Sequence, residues 1–546
     1  MWYLLPPRSI FLLKRKEDYS GTTQPPGPSS DPVFPTGETF LPKRRNILLA
    51  DRERETLYWI FFFVGLIIQL PCVKQIRQPS PDQTQPYRLQ LMTMLAGFRR
   101  NCIEPLYMLK SGSPRLRYWK ELEKTQYLPL EELQAIQWKR LRGLWEFLWE
   151  NNTFYRRRFK EAGLRPDSLR HIRDLARVPI LTKKEIRANT RSMLSTGYTT
   201  DRLLHFKTGG STGKALDIYL TEECSELRNA CARRHDRWSG WEPGEPIGAA
   251  WGNPELPTTL KERLFDTLLQ PFIYLDTMAV TDASVREFAR AWKKRRPTLL
   301  FGHAHSLFIL AEHVRRLGLS EMIVPKGIIS TSMMLLPHER RVIEQVFGCP
   351  VTDRYGCEEV SLIGSECEYH DGMHLNIEHL VIEFITDEGT AAKPGEPGNI
   401  VVTDLMNKAM PLVRYQVEDV GVPRAEACPC GRGLPMMEGV SGRLADFLIK
   451  PDGTKIAGIS LIENTLTRIP GLDQMQIIQD ELHRLTLHIV PGDGYSEQSR
   501  EQLYHYFQDL FGGQMDIVIK TIDTIPAEKS GKYRFSICKV VPPAAA

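Results

Sequence analysis

Residues 208–214 read T-G-G-S-T-G-K, and this stretch, taken with three segments that follow it, decides how the chain is organised. Small residues with glycine steps let backbone N–H groups wrap around phosphate oxygens, and a closing lysine adds positive charge. It is not a Walker A loop. Such a loop has four residues between its glycine and the Gly-Lys pair, with Ser or Thr next. Here three residues separate Gly209 from Gly213, and Ala215 follows Lys214. The three later segments are D-R-Y-G-C-E-E-V at 353–360, R-Y-Q-V-E-D-V-G at 414–421 and S-G-K-Y-R at 530–534.

Between and around these segments the apolar spacing alternates between helix and strand. Residues 116–189 repeat apolar side chains every three or four positions, with Leu141, Leu144, Phe147 and Leu148 along one face. Apolar runs at 297–302, 323–332 and 350–356 predict β-strands that end in polar or glycine-rich loops. Helical stretches at 283–296 and 337–347 lie between them. Alternation of this kind predicts an α/β fold with ligands at the carboxyl ends of parallel strands. Ser330, Ser332, Tyr355 and the loop after Thr208 are expected on such ends. After a strand at 398–405 the composition changes near Ser441 to a compact α+β unit. Its expected elements are helix 461–468, strand 485–490, helix 497–511 and strand 516–522.

Composition fits a globular fold with ample core. Of 546 residues, 42% are hydrophobic and 25% charged, with a net charge of only +5. No basic tract or nucleic-acid-binding signature is present, so nucleic acid is not expected as a partner. Ten cysteines are too few for a disulfide scaffold, and a reducing cytoplasm is the expected compartment. The first 98 residues differ from the rest and are expected to form a poorly structured extension. A Pro/Gly/Ser-rich stretch at 22–35 predicts poor structure, and 57–73 is an uncharged apolar run of 17 residues. That run is at the lower limit for a membrane span of roughly 17–25 residues. It reads as a membrane anchor, as a segment packed on the rest of the chain or at an interface, or, the favoured reading, as translation upstream of a start near Met92 or Met94.

The ordered series of phosphate loop, Y-G-x-x-E, R-Y-x-x-x-D and C-terminal Gly-Lys resembles the adenylate-forming enzymes, the superfamily of acyl-CoA synthetases. From about residue 105 to 540 the chain is similar to the phenylacetate-CoA ligase family, and I-K-P-D-G-T shortly after G-R-L-A-D brings it closest to the CapK-like and coenzyme F-390 synthetase-like members. The resemblance implies a large multi-subdomain adenylation domain over 99–441 and a small mobile C-terminal domain over 442–546. It implies a ligase that uses ATP and Mg2+ to convert a small-molecule carboxylate to an acyl-adenylate, then to a CoA thioester. Transfer of AMP to a hydroxyl acceptor, as a deazaflavin-coenzyme synthetase does, and a non-catalytic nucleotide-binding role in capsular polysaccharide biosynthesis are the alternatives.

Residue by residue, the resemblance makes Thr208, Gly209, Gly210, Ser211, Thr212, Gly213 and Lys214 the phosphate cradle. Ser332 and Gly356 border the nucleotide, Tyr355 stacks on adenine, and Glu359 holds Mg2+ with Glu358 as the near alternative. Asp419 accepts from the ribose hydroxyls, and Arg443 contacts ribose or phosphate. Lys532 reaches the α-phosphate, with Lys529 close enough to compete. Ala445, followed by Asp446, occupies the hinge position. The acyl pocket is not readable beyond F-G-H-A-H-S at 301–306 as candidate lining.

Cys428 and Cys430 in C-P-C-G-R, with Cys367 and His370 in C-E-Y-H some 60 residues earlier, offer four ligands for a structural Zn2+. His374 is the alternative to His370.

Overall fold

The computed structural model describes residues 84–208, 216–252, 257, 259–269, 271–278, 280–441, 447–492, 494–525 and 534–540. Gly209, Gly210, Ser211, Thr212, Gly213, Lys214, Arg443, Ala445, Asp446, Lys529 and Lys532 lie outside these residues, as do 22–35 and 57–73. By their contacts, the described residues from Ala96 onward belong to one compact unit. Within the stretch expected to lack structure, Thr84–Phe98 is helical. Among the described residues no helix is long and apolar enough to cross a membrane.

The strands in chain order are β1 (Leu204–Lys207), β2 (Asp217–Leu220), β3 (Ile247–Trp251), β4 (Phe272–Asp276), β5 (Leu299–His303), β6 (Gly327–Thr331), β7 (Val351–Cys357), β8 (Ser361–Ser365), β9 (Met373–Leu375), β10 (Leu380–Ile385), β11 (Gly398–Asp404), β12 (Tyr415–Arg424) and β13 (Met436–Ser441). All but β1 and β2 form an eleven-stranded sheet in the order β10-β11-β12-β13-β9-β8-β7-β6-β5-β3-β4. From β4 to β7 neighbouring strands are parallel. From β7 to β10 they are antiparallel.

The helical crossovers predicted from sequence therefore stop at β7, where the chain turns directly into β8. Gly356 makes that turn possible. A Cβ there would come within 2.5 Å of the Ser361 carbonyl oxygen and 3.0 Å of Leu362 Cα.

Two helices flanking the sheet are found where expected, α3 (Asp282–Arg295) and α4 (Pro337–Phe347). Ahead of them come α1 (Leu130–Asn151), which buries Leu141, Leu144 and Leu148 but leaves Phe147 half-buried, and α2 (Glu222–Trp238). Helix α2 is unusual in burying charge on most of its length. Arg228 pairs with Asp404 at 2.8 Å, Arg234 with Glu378 at 2.5 Å and Asp236 with Arg354 at 2.8 Å. Buried charges are tolerated only when paired and hydrogen-bonded, so these three contacts fix the helix on the sheet.

The C-terminal part holds β14 (Phe447–Ile449), β15 (Lys455–Ala457), α5 (Gly458–Arg468), β16 (Leu472–Glu481), β17 (Arg484–Pro491), α6 (Glu497–Phe511), β18 (Asp516–Thr521) and β19 (Ser536–Cys538). A four-stranded sheet in the order β18-β17-β16-β19 carries a core with Leu461, Met475, Leu487, Leu503 and Phe507. Met278 is buried in the same cluster and Met333 packs against it, so two methionines of the large sheet's loops meet the small unit.

Candidate active site

Ser332, Asp353, Arg354, Tyr355, Gly356, Asp419 and Val440 line a small cleft together with Met333, Met334 and Met373. It opens where β6 and β7 end, with β12 and β13 supplying the opposite wall. Four residues expected to bind nucleotide (Ser332, Tyr355, Gly356 and Asp419) are thus brought together. Tyr355 Oη donates to Asp419 Oδ2 at 2.9 Å, joining the expected adenine and ribose residues directly. Tyr355 lies within β7 and not on a loop beyond it.

Asp419 owes its position to a β-bulge. Asn399 pairs with Val420 and Val401 with Gln416, leaving Ile400 opposite Val417, Glu418 and Asp419. Glu418 takes a left-handed φ of 73°, a conformation that costs a non-glycine residue about 1–3 kcal/mol. Ser332 is also left-handed, at φ 66°, immediately after β6.

Thr208 is buried at the base of the β1–β2 hairpin. Its N–H donates to the Leu216 carbonyl at 2.9 Å, and its Oγ1 accepts from the Leu216 N–H at 3.1 Å. The stretch expected to cradle phosphate is therefore flanked by the strands of a separate two-stranded sheet, and does not follow a parallel strand of the large sheet as expected. Glu359 is buried, and its Oε1 accepts from the Tyr415 hydroxyl at 3.0 Å, while the Arg228 guanidinium donates to the carbonyl oxygens of both Glu358 and Glu359. It is not among the residues lining the cleft. His303, from the candidate acyl lining, is fully buried at the end of β5, its ring 3.9 Å from that of Trp251.

Asp353, in β7, also lines the cleft. Burial, reinforced by the neighbouring Glu366 carboxylate, pushes its pKa up to about 7. Because the folded-state pKa is raised, Asp353 contributes stability fully below about pH 4, and that contribution fades as pH rises through about 7. Asp353→Asn is therefore expected to gain on the native chain in Tm by about a few degrees between pH 4 and pH 8. Thermal melts across that range check it; a Tm difference independent of pH would refute the assignment.

A second cluster lies at the antiparallel end. Ligand atoms of Cys367, His374, Cys428 and Cys430 are all within 4.8 Å of one another. His370 is not part of it: its φ of 51° sends the ring to Glu366, with Nδ1 3.4 Å from Oε2. His374, on β9, takes its place, its Nε2 3.3 Å from Cys430 Sγ. His374 Nδ1 faces the Leu434 carbonyl at 3.4 Å, the outer contact that orients a metal-ligating imidazole. Burial lowers the His374 pKa to about 4, leaving the ring neutral, and raises the Cys367 and Cys428 thiols. Only a bound cation would hold those thiols as thiolates at neutral pH.

A solved structure of 2-hydroxyisobutyryl-CoA ligase with 2-HIB-AMP and CoA, in the thioesterification state, matches at a TM-score of 0.52. It is 19% identical and covers 76% of this chain and 92% of its own. The fold is that of a CoA ligase. The same enzyme in its postadenylation state with 2-HIB-AMP matches at a TM-score of 0.50 with the same coverage. In sequence, a phenylacetate-coenzyme A ligase of Thermus thermophilus is 25% identical over 452 residues, 77% of this chain and 98% of that protein. One of Escherichia coli is 27% identical over 443 residues, 76% and 97% respectively. Residues 448–539 match the family model described as CapK C-terminal domain. The similarity spans both the large sheet and the C-terminal unit, as the order of motifs implied.

Proposed function

We propose that the chain is an ATP-dependent, AMP-forming ligase that activates a small-molecule carboxylate as its adenylate and passes the acyl group to CoA. The observation that carries this reading is the Tyr355–Asp419 pair in the cleft at the ends of β6 and β7. A ribose diol needs two acceptor oxygens beside an aromatic platform, and that pair supplies both. Relatives named phenylacetate-coenzyme A ligase, spanning most of the chain, support the acid and thiol as substrate classes.

The difficulty of the first step is charge: a carboxylate must attack the α-phosphorus of a polyanion. Lys214 and Lys532 are the proposed cations at the phosphates, and the backbone of residues 208–214 the cradle. Mg2+ would be held by Glu359, whose carboxylate Tyr415 fixes in place, and would neutralise phosphate charge. Glu359→Gln is expected to raise the Mg2+ concentration needed for half-maximal activity about tenfold; an unchanged Mg2+ titration would move the role to Glu358.

We also place the boundary between the adenylation and small domains near Ser441. A structural Zn2+ is assigned to Cys367, His374, Cys428 and Cys430, outside the chemistry. ATP–pyrophosphate exchange, measured over aryl, aliphatic and sugar-derived carboxylates, tests the central reading. Exchange with one class supports it, and CoA-dependent turnover then follows. ATP binding without exchange on any acid would point instead to a hydroxyl acceptor.

A further inference from the structure

We propose that Lys183 is a positioning residue for the nucleotide, acting through Glu418 on Asp419; the inference rests on the ligase reading above. Lys183 opens the helix Lys183–Asn189, where Thr182 and Glu185 form a reciprocal capping box. Its side chain is only 2% exposed, and Nζ lies 2.9 Å from Glu418 Oε2. A lysine buried to this degree is held by its charge partner.

The two residues meet on a fixed path. The Leu181 N–H donates to the Arg414 carbonyl at 2.8 Å, and the Gln416 N–H donates to the Leu181 carbonyl at 3.0 Å. The segment before Lys183 is therefore tied to the start of β12 by a single parallel bridge, with Leu181 opposite Tyr415. Lys183 thus reaches the bulge from one direction.

Glu418 is the left-handed residue of that bulge, and Asp419 is the next. In a regular strand successive side chains alternate faces, and a bulge breaks that rule. What decides where Asp419 points is then the contact that holds Glu418. With the Glu418 carboxylate drawn to Lys183, Asp419 faces Tyr355 and accepts its hydroxyl. Lys183 does not line the cleft, so it acts on nucleotide only through its neighbours.

The test is titration of ATP onto the full chain carrying Lys183→Met, Lys183→Arg, Asp419→Asn, and Lys183→Met with Asp419→Asn. Lys183→Met is expected to raise the Kd about tenfold, within the range of coupled neighbours, and Lys183→Arg to bring it back to within about threefold of native. In the Asp419→Asn background the same Met substitution is expected to add less than about twofold, because its effect passes through Asp419. The carboxylate KM in pyrophosphate exchange should not move.

An unchanged Kd for Lys183→Met, or an equal loss with Asp419 already replaced, overturns the proposal. Glu418→Gln asks the same question without touching the buried lysine, and decides the matter if the Met variant does not fold. A native chain that binds no ATP would remove the ligase reading as well, whereas native binding with an indifferent Met variant removes this inference alone.

Discussion

Lys532→Ala is expected to cut ATP–pyrophosphate exchange by a factor on the order of 10²–10³ while ATP binding persists. The step forms a bond between two anions, so a cation at the developing charge acts mainly in the transition state. Losing it lowers kcat with little change in ATP affinity. The chain just after the lysine is anchored independently: the Ile477 N–H donates to the Phe535 carbonyl at 2.9 Å, and Gln476 Nε2 to the Arg534 carbonyl at 2.7 Å. The variant should therefore keep the native melting curve, which separates lost chemistry from lost fold. Undiminished exchange would pass the role to Lys529.

The second large effect concerns the cysteine cluster. Purified without chelator, the chain is expected to carry about one Zn2+, and Cys428→Ser to lose it. Structural zinc contributes on the order of 10–16 kcal/mol in small peptides. In a domain of this size most of the fold would persist, but the loops bearing Cys367 and Cys428 join β8–β9 to β12–β13, and β12 carries Asp419. Cys428→Ser should lower Tm by more than about 5 °C and weaken ATP binding with it. Elemental analysis and a melt check both. Less than half a zinc per chain with an unchanged Tm in the variant would refute the assignment.

Local patterns show which parts of this were legible in sequence. Helix α6 matches its expected bounds because apolar spacing and the Ser496 cap agree. Strand β16 was missed because its polar residues disguise it. Gln479 is fully buried, its side chain bonded to both the N–H and the carbonyl of Ile449, and Gln476 to the Arg534 carbonyl. Those side chains face in because they tie neighbouring segments, a fact that spacing does not encode. The choice of His374 over His370 is similar: C-x-x-H spacing favoured the nearer histidine, and a left-handed backbone turned it away. Motif order pointed to Tyr355 and Asp419, and the fold brings both to one cleft with Ser332. The bulge that aims Asp419, and the lysine that holds it, depend on a register between distant strands and left no local mark.

Helix α2 also bears on how this sequence can change over generations. Replacing Arg234 alone would strand Glu378 in the interior, at a cost of about 3–5 kcal/mol. Set against a typical total of roughly 5–15 kcal/mol, such a step leaves little margin. Arg228 with Asp404 and Asp236 with Arg354 face the same barrier. Descendants of this chain can alter these positions only two at a time, so across divergent relatives the helix and the sheet should covary at these three pairs, even where the overall sequence has drifted far.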